Sequence, residues 1–327
     1  MEEKICKEEI EKSNLIIGKI LKYYTTRIVG QKNLQKSLLI SLIANGHILI
    51  ESMPGLAKTT AVKTLTESCG GSFSRIQCTP DLLPSDIIGT QIYNAKTYEF
   101  ETNIGPVNAN FVLLDEINRS SSKTQSAMLE AMQERQISIG GKNYKLPEVF
   151  IVIATQNPIE QEGTYILSEA QQDRFLIKET LTYPTKEEEI EILNRIEKNI
   201  FKDKEKVVSI NDIKYLQKLH QKIYVDESIK KYIVNIVNAT RNPSEIITLQ
   251  LVKYIDSGAS TRASIAFMEA SKALALIKGR TYVTPDDIKE LSYGILRHRI
   301  NLNFEAVVDE IKIEKIIDAI ISSIKTP

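Results

Sequence analysis

Net charge is the first thing this 327-residue sequence lacks, because 42 Lys and Arg offset 42 Asp and Glu. No overall field draws the chain to nucleic acid or to an anionic membrane, which argues against a dedicated nucleic-acid binder, although neutrality is compatible with a local basic stripe. Metal-binding and redox signatures are absent as well. The three cysteines, Cys6, Cys69 and Cys78, have no C-x-x-C spacing, and the three histidines are scattered. They read as reduced, structural residues of a cytoplasmic protein. No run of about eighteen apolar residues occurs, and the N-terminus MEEKICKEEIEKSN is charged where a signal peptide is apolar. Neither a membrane span nor export is expected. What is present, 42% hydrophobic and 26% charged residues, is ordinary for a soluble globular chain long enough for two domains.

The rest of the chain is organised around ESMPGLAKTT, Glu51 to Thr60. An apolar run, His47 to Ile50, feeds a turn that ends in Lys58-Thr59 and opens a helical pattern. In a P-loop, backbone N–H groups and a helix N-terminus wrap the β-phosphate, the Lys reaches the β/γ oxygens and the Ser/Thr hydroxyl ligates Mg²⁺. Ser52 stands at the first Gly of the G-x-x-x-x-G-K-[ST] consensus and Ala57 at the second, which leaves Gly55 inside the loop. The alternative reading of this stretch alone is a strand-to-helix turn with an exposed Lys.

Taken in order, the chain opens with a helical pattern over Glu2 to Tyr24, breaks at RIVGQ and resumes helically over Lys32 to Asn45. Beyond the cradle, Gly70-Gly71 ends a helix, and Phe73 to Gln77 reads as a strand. Thr79 to Pro106 reads as an irregular insertion. Phe111 to Asp115 is a buried strand, followed by a helix with an N-cap serine, then by the hairpin RQISIGGKNYKLPE, then by strands Phe150 to Ala154 and Phe175 to Glu179. Strands alternating with helices imply a doubly wound parallel sheet with its crevice at the carboxyl ends of the strands. After Pro184 only helices are expected, the last carrying the stripe Ile313, Ile316, Ile317, Ile320, Ile321 and Ile324, as core or subunit contact. The α/β domain is placed at 1–184 and the helical one at 185–327.

Several residues are candidates for chemistry. Asp115 and Glu116 emerge at the carboxyl end of their strand, where Asp115 can hold the hydration shell of Mg²⁺ and Glu116 can orient the attacking water. Asn157, in ATQNP, lies at the same edge and can bond a phosphate or that water, or else simply start a turn before Pro158. Arg174 precedes its strand and so lies at the opposite edge, roughly 16 Å away for five residues of strand. It can serve a neighbour's nucleotide as an arginine finger, or make a structural salt bridge. Arg262 follows the N-cap candidate Ser260, where a cation opposes the helix dipole. A γ-phosphate presented by the other domain would justify it, making the helical domain a nucleotide-sensing lid; an exposed Arg with no role is the other reading.

With RIVGQ, MPGLAKT, RIQCTPDLLPSDIIG, LLDEINRSSSKTQSAMLEAMQE, ATQNPIEQEGTY, EAQQDRF and GASTRA in that order, the chain resembles the MoxR family of AAA+ ATPases over nearly its whole length. The resemblance implies an AAA+ P-loop NTPase with a C-terminal helical lid, using ATP and Mg²⁺. By carry-over, Lys58 and Thr59 look like Walker A, Asp115 and Glu116 like Walker B, Asn157 like sensor 1, Arg174 like the trans finger and Arg262 like sensor 2. Thr59 and Asp115 would serve the metal. Ser52, Met53, Pro54, Gly55, Leu56, Ala57 and Thr60 would serve the nucleotide, with Ile28 and Val29. The insertion becomes the insert in helix 2 (about 79–106), and the hairpin (about 135–148) the one before sensor 1. A homo-oligomeric ring, expected to be a hexamer, and a remodelled partner with a von Willebrand factor A domain are implied, with no dedicated nucleic acid. A magnesium-chelatase-like or DNA-remodelling subunit and a nucleotide-switched scaffold are the alternatives.

Overall fold

The computed structural model of the protein describes residues 5–53, 55–56, 58–158, 164–198 and 206–327. Helices α1 (Lys7–Arg27) and α2 (Lys32–Ile43) precede β1 (Ile48–Glu51), α3 (Lys58–Cys69) and β2 (Phe73–Gln77). Then follow α4 (Pro84–Ile88), a hairpin of β3 (Gly89–Asn94) and β4 (Glu99–Ile104), β5 (Phe111–Asp115) and α5 (Ser122–Glu134). A second hairpin, β6 (Gln136–Ile139) with β7 (Lys142–Lys145), leads to β8 (Ile151–Gln156), the short α6 (Glu169–Gln172) and β9 (Ile177–Thr180).

Five strands form one parallel sheet in the order β2-β5-β8-β1-β9. Its central strands are apolar without interruption because both faces are covered. The period of two divides their side chains between two cores. Phe111 and Leu113 of β5, Ile151 and Ile153 of β8 and Ile48 and Ile50 of β1 join the core shared with α1, α2 and α3. Val112 and Leu114, Val152 and Ala154, and Leu49 face the other core, with Met128, Leu129 and Met132 of α5. Asp115 continues the first set, so its carboxylate emerges on the α3 side of the sheet. That alternation is what aims it at the cradle.

The helical part comprises α7 (Lys186–Glu197), α8 (Ile210–Gln221), α9 (Glu227–Arg241), α10 (Leu249–Val252), β10 (Ile255–Ser257), α11 (Thr261–Ile277), α12 (Pro285–Leu296), β11 (Asn301–Leu302), α13 (Phe304–Val308) and α14 (Ile313–Ser323). Its apolar faces are continuous with the α1/α2 core rather than closed on themselves, since Phe267, Leu274 and Ile295 belong to the same cluster as Leu38 and Ile177. The isoleucine stripe of α14 is part of that core: Ile316, Ile317 and Ile320 are fully buried, and Ile313, Ile321 and Ile324 pack against it. Among the described residues no helix is long and apolar enough to cross a membrane.

Three expectations need correction. Thr79 to Pro106 is not irregular: Pro84 sits in the first turn of α4, and Gly89 to Ile104 pairs as an antiparallel hairpin, Tyr93 opposite Phe100. The alternating polar and aromatic residues there are a strand pattern. The part after Pro184 is not helices only, because β10 and β11 form an antiparallel ribbon too short to announce itself by periodicity. Finally, the last strand of the sheet begins at Ile177, not Phe175: the Phe175 carbonyl is taken by the side chains of Arg299 and His298, and toward β1 Leu176 reaches only the His47 carbonyl ahead of that strand, through its amide at 2.8 Å. The first helix, expected from Glu2, is described from Lys7; Glu2 itself lies outside the described residues.

All three histidines are buried, and each donates Nε2–H to a main-chain carbonyl: His47 to Met132 (3.2 Å), His220 to Glu269 (2.9 Å) and His298 to Phe175 (3.1 Å). His47 Nδ1 also accepts from the Val152 amide at 3.0 Å, a bond that its protonation would destroy. Burial is the main cause that lowers all three, His47 to about 3. An unfolded histidine titrates near ~6.5, so below that pH the unfolded chain binds more protons, and stability present at pH 7 is lost as the pH falls toward the folded value. The thermal midpoint should therefore drop between pH 7 and pH 5, with His47 alone contributing up to about 1.4 kcal/mol per pH unit. His47→Gln should flatten the profile; a wild-type midpoint constant over this range would contradict the burial argument.

Candidate active site

At the carboxyl edge of the sheet, β1 ends at Glu51, and the Ser52 amide extends its pairing by donating to the Gln156 carbonyl at 3.1 Å. Ser52 is buried and is not among the positive-φ residues, so the first consensus position needs no glycine in this chain. Gly55 does need to be glycine: its φ is +84°, and a Cβ there would meet open space, so the requirement is conformational rather than steric. Lys58 opens α3 and donates to the Ser52 carbonyl at 3.4 Å. Burial lowers its pKa while the charges of Asp115 and Glu116 hold it up, so the ammonium sits within the field of both acids. Thr59 and Thr60 follow in the first turn of α3. Pro54 and Ala57 lie outside the described residues.

Asp115 is held from both sides. Its Oδ1 accepts the Thr155 hydroxyl at 2.8 Å, and its Oδ2 accepts Arg75 Nη2 at 2.6 Å and Nε at 3.2 Å. The same Thr155 hydroxyl accepts the Glu116 amide at 2.9 Å, which fixes the left-handed backbone of Glu116 (φ 58°). The Glu116 carboxylate receives Gln77 Nε2 at 3.1 Å and Arg119 Nη1 at 3.3 Å. Asn157 directly follows β8 at this edge, and its carbonyl accepts from Asn118 at 3.4 Å. Lys58, Asp115, Glu116 and Asn157 therefore share one edge, as their sequence positions predict. One carboxylate and one hydroxyl are hard oxygen donors, and among the described residues no cluster of three or more His, Cys, Asp or Glu forms a self-sufficient metal cage. Such a donor set suits Mg²⁺ brought in with phosphate oxygens.

Beside the cradle opens a mainly apolar cavity of about 330 Å³, lined by Ile28, Val29, Gly55, Leu56, Thr60, Pro184, Ile192 and Ile196 among others. It is large enough for a flat heterocycle. Its far wall is α7, tied to the last turn of α1 by Arg195 Nη1 donating to the Thr25 carbonyl (2.7 Å), while Gln31 of RIVGQ holds the segment before α7 by donating Nε2–H to the Thr182 carbonyl (3.1 Å). Gly30 (φ +64°) allows the close approach, because a Cβ there would fall 2.5 Å from the Glu188 carboxylate.

The two remaining candidates lie elsewhere. Arg174 occupies the turn after α6, lining a cavity of about 380 Å³ with Gly46 and His47, which stand at the amino end of β1. Arg262 lines the same cavity. Ser260 does cap α11, accepting from the Arg262 amide at 3.1 Å, but the Arg262 guanidinium is 3.6 Å from Asp173, not near its own cradle. Reading Arg262 as a sensor of its own subunit's γ-phosphate is thus corrected: α11 starts at the amino edge of the sheet, and Asp173 is the acid that offsets a cation in its first turn. Among the described residues, Arg174 Nε is buried with no hydrogen-bond partner.

Sequence reasoning missed what holds this turn. Arg299 is buried and donates to the Asp173 carboxylate (2.6 Å), to the Phe175 carbonyl (2.7 Å) and to the Ile295 carbonyl (2.8 Å). Asp173 also accepts the Ser260 hydroxyl at 2.7 Å. No pattern in the sequence marks Arg299 as buried. Arg75, Gln77 and Thr155 were likewise unassigned, although RIQC and ATQNP carry them.

A family described as "ATPase family associated with various cellular activities (AAA)" matches residues 47–177, and a family described as "AAA lid domain" matches residues 252–320. The chain is 46% identical to Chaperone MoxR1 of Mycobacterium tuberculosis over 300 residues, 92% of this chain and 79% of that protein. It is 46% identical to YeaC of Bacillus subtilis, an uncharacterized protein, over 95% of both chains. A crystal structure of a candidate ATPase from Cytophaga hutchinsonii superposes with a TM-score of 0.90 at 46% identity, covering 98% of both chains.

The division between cradle and strand-end acid sets an expectation. Lys58→Ala should abolish nucleotide binding, whereas Glu116→Gln should bind Mg-ATP nearly normally and hydrolyse it at least about a hundredfold more slowly. Equal loss of binding in the two variants, measured by calorimetry, would sink the role given to Glu116.

Proposed function

Because this chain belongs to the MoxR family of AAA+ ATPases, we propose that it hydrolyses Mg-ATP at a site completed by the next subunit of a ring, and that it uses the cycle to remodel a partner protein. The observation that carries this reading is the separation of the catalytic set. Lys58, Asp115, Glu116 and Asn157 stand at one edge of the sheet, and Arg174 with Arg262 at the other. No motion of side chains within one subunit bridges a parallel strand end to end. A head-to-tail contact, which closes into a ring, brings the arginine edge of one copy to the cradle of the next.

Each residue then has a role. The Lys58 ammonium and the α3 N-terminus hold the β- and γ-phosphates, and the Thr59 hydroxyl and Asp115 hold the Mg²⁺ hydration sphere. When bound, Mg²⁺ neutralises charge on the transferring phosphoryl group. Glu116 orients the attacking water and Asn157 bonds the water or the γ-phosphate. The cavity walled by Ile28, Val29 and α7 takes the base. Arg174, whose Nε has no partner among the described residues, and Arg262 stabilise transition-state charge on the neighbour's nucleotide. A hexamer is the expected ring, and a protein with a von Willebrand factor A domain the expected substrate of remodelling, as the family resemblance implies.

The shared site predicts complementation. Arg174→Ala and Lys58→Ala should each be nearly inactive alone, the first losing about a thousandfold in rate while still binding ATP. Mixed rings contain interfaces that pair an intact cradle with an intact finger, so mixing should restore a fraction of the wild-type rate. A mixture no more active than its components would remove Arg174 from the neighbour's site.

A further inference from the structure

Arg75 lies on β2, in register with Leu113, and Gln77 lies in register with Asp115. The two side chains therefore share the α3 face of the sheet with the Asp115 carboxylate. Arg75 directs both Nη2 (2.6 Å) and Nε (3.2 Å) at a single oxygen, Oδ2, while Oδ1 is taken by Thr155. The Asp115 side chain is only 11% exposed and that of Arg75 is 49% exposed. The acid is the fixed end of the pair and the guanidinium the end that can swing into water.

A second contact links this pair to Glu116. Arg75 Nη2 donates to Gln77 Oε1 at 3.2 Å, and Gln77 Nε2 donates to Glu116 at 3.1 Å. Only this orientation of the amide satisfies both neighbours, since a flip would set NH₂ against the guanidinium and C=O against the carboxylate. Arg75 thereby fixes the amide that helps to hold Glu116.

We propose that Arg75 is a positioning residue that competes with Mg²⁺ for Asp115, so that arrival of the metal with its nucleotide releases Arg75 and, through Gln77, loosens one of the two side-chain bonds on Glu116. This rests on the Mg-nucleotide reading above. A carboxylate oxygen that accepts two donors from a guanidinium is not available to order a metal's hydration shell at the same time. The dication, supported by phosphate oxygens and by Thr59, displaces a half-exposed monocation whose attachment is worth only a several-fold change in an equilibrium constant. Glu116 keeps Arg119 and becomes free to turn toward water.

The test is a titration of Mg²⁺ into the whole protein with a fluorescently labelled, non-hydrolysable ATP analogue, reading binding rather than turnover. Arg75→Gln should lower the half-saturating Mg²⁺ concentration by about three- to tenfold. Gln77→Leu, which removes one anchor of Arg75, should lower it by about twofold. Arg75→Lys keeps the charge without the two-pronged contact and should fall between Arg75→Gln and the wild type; it carries the test alone if Arg75→Gln does not fold. Half-saturation unchanged or raised in the Arg75 variants would overturn the proposal alone. A wild type that binds no labelled nucleotide at any Mg²⁺ concentration would overturn the nucleotide reading and this proposal with it.

Discussion

Strand polarity is the constraint from which the rest follows. In a parallel sheet every carboxyl end lies on one edge and every amino end on the other, so a side chain's edge is decided by whether it follows or precedes its strand. Ser52 to Thr59, Glu116 and Asn157 follow strands and Asp115 ends one, whereas Arg174 precedes one. Alternation within each strand adds the second coordinate. Phe111 and Leu113 commit to the core under α3, and Asp115 continues that face to emerge beside Lys58. Edge and face together assemble the cradle from segments far apart in sequence, and the same geometry keeps Arg174 from the cradle of its own subunit.

The arginine edge depends on one buried ion pair. Taking a guanidinium out of water is costly unless its donors are met, and Arg299 meets them with the Asp173 carboxylate and the carbonyls of Asp173, Phe175, Leu176 and Ile295. Asp173 spends its remaining capacity on Ser260 and Arg262. The turn that carries Arg174 is thus tied to the start of α11 and the end of α12, and a shift of the helical part would move Arg174 with it. In the shared site proposed above, the helical part acts as a mount for the arginine edge rather than as a flap over its own nucleotide.

Long-range order was legible in the sequence wherever a period or a strong local signal existed. The strand Phe73–Gln77, the strand Phe111–Asp115 and the Gly140-Gly141 hairpin turn stand where pattern and turn chemistry put them. The hairpin Gly89–Ile104 escaped because Pro80, Pro84 and Gly89 around it mimic a loop, and the Ile255–Ser257 ribbon because three residues have no period. In the candidate site, the four carboxyl-edge residues were readable from strand ends. The position of Arg262 was not, since it depends on how α11 docks on the sheet, a tertiary fact that Ser260 capping does not encode. Arg299 and Arg75 were invisible for a related reason: a charged residue announces neither its burial nor its partner.

The claim at the centre of this account is that one subunit holds an incomplete catalytic set. The most direct measurement is the specific ATPase rate of the wild-type protein across a wide range of protein concentration, with the assembly state followed in parallel by analytical ultracentrifugation. The rate per subunit should be close to zero for the monomer and should rise in step with the fraction assembled. A sedimenting monomer that hydrolyses ATP at the full rate, independent of concentration, would contradict the shared site and leave Arg174 and Arg262 as structural cations.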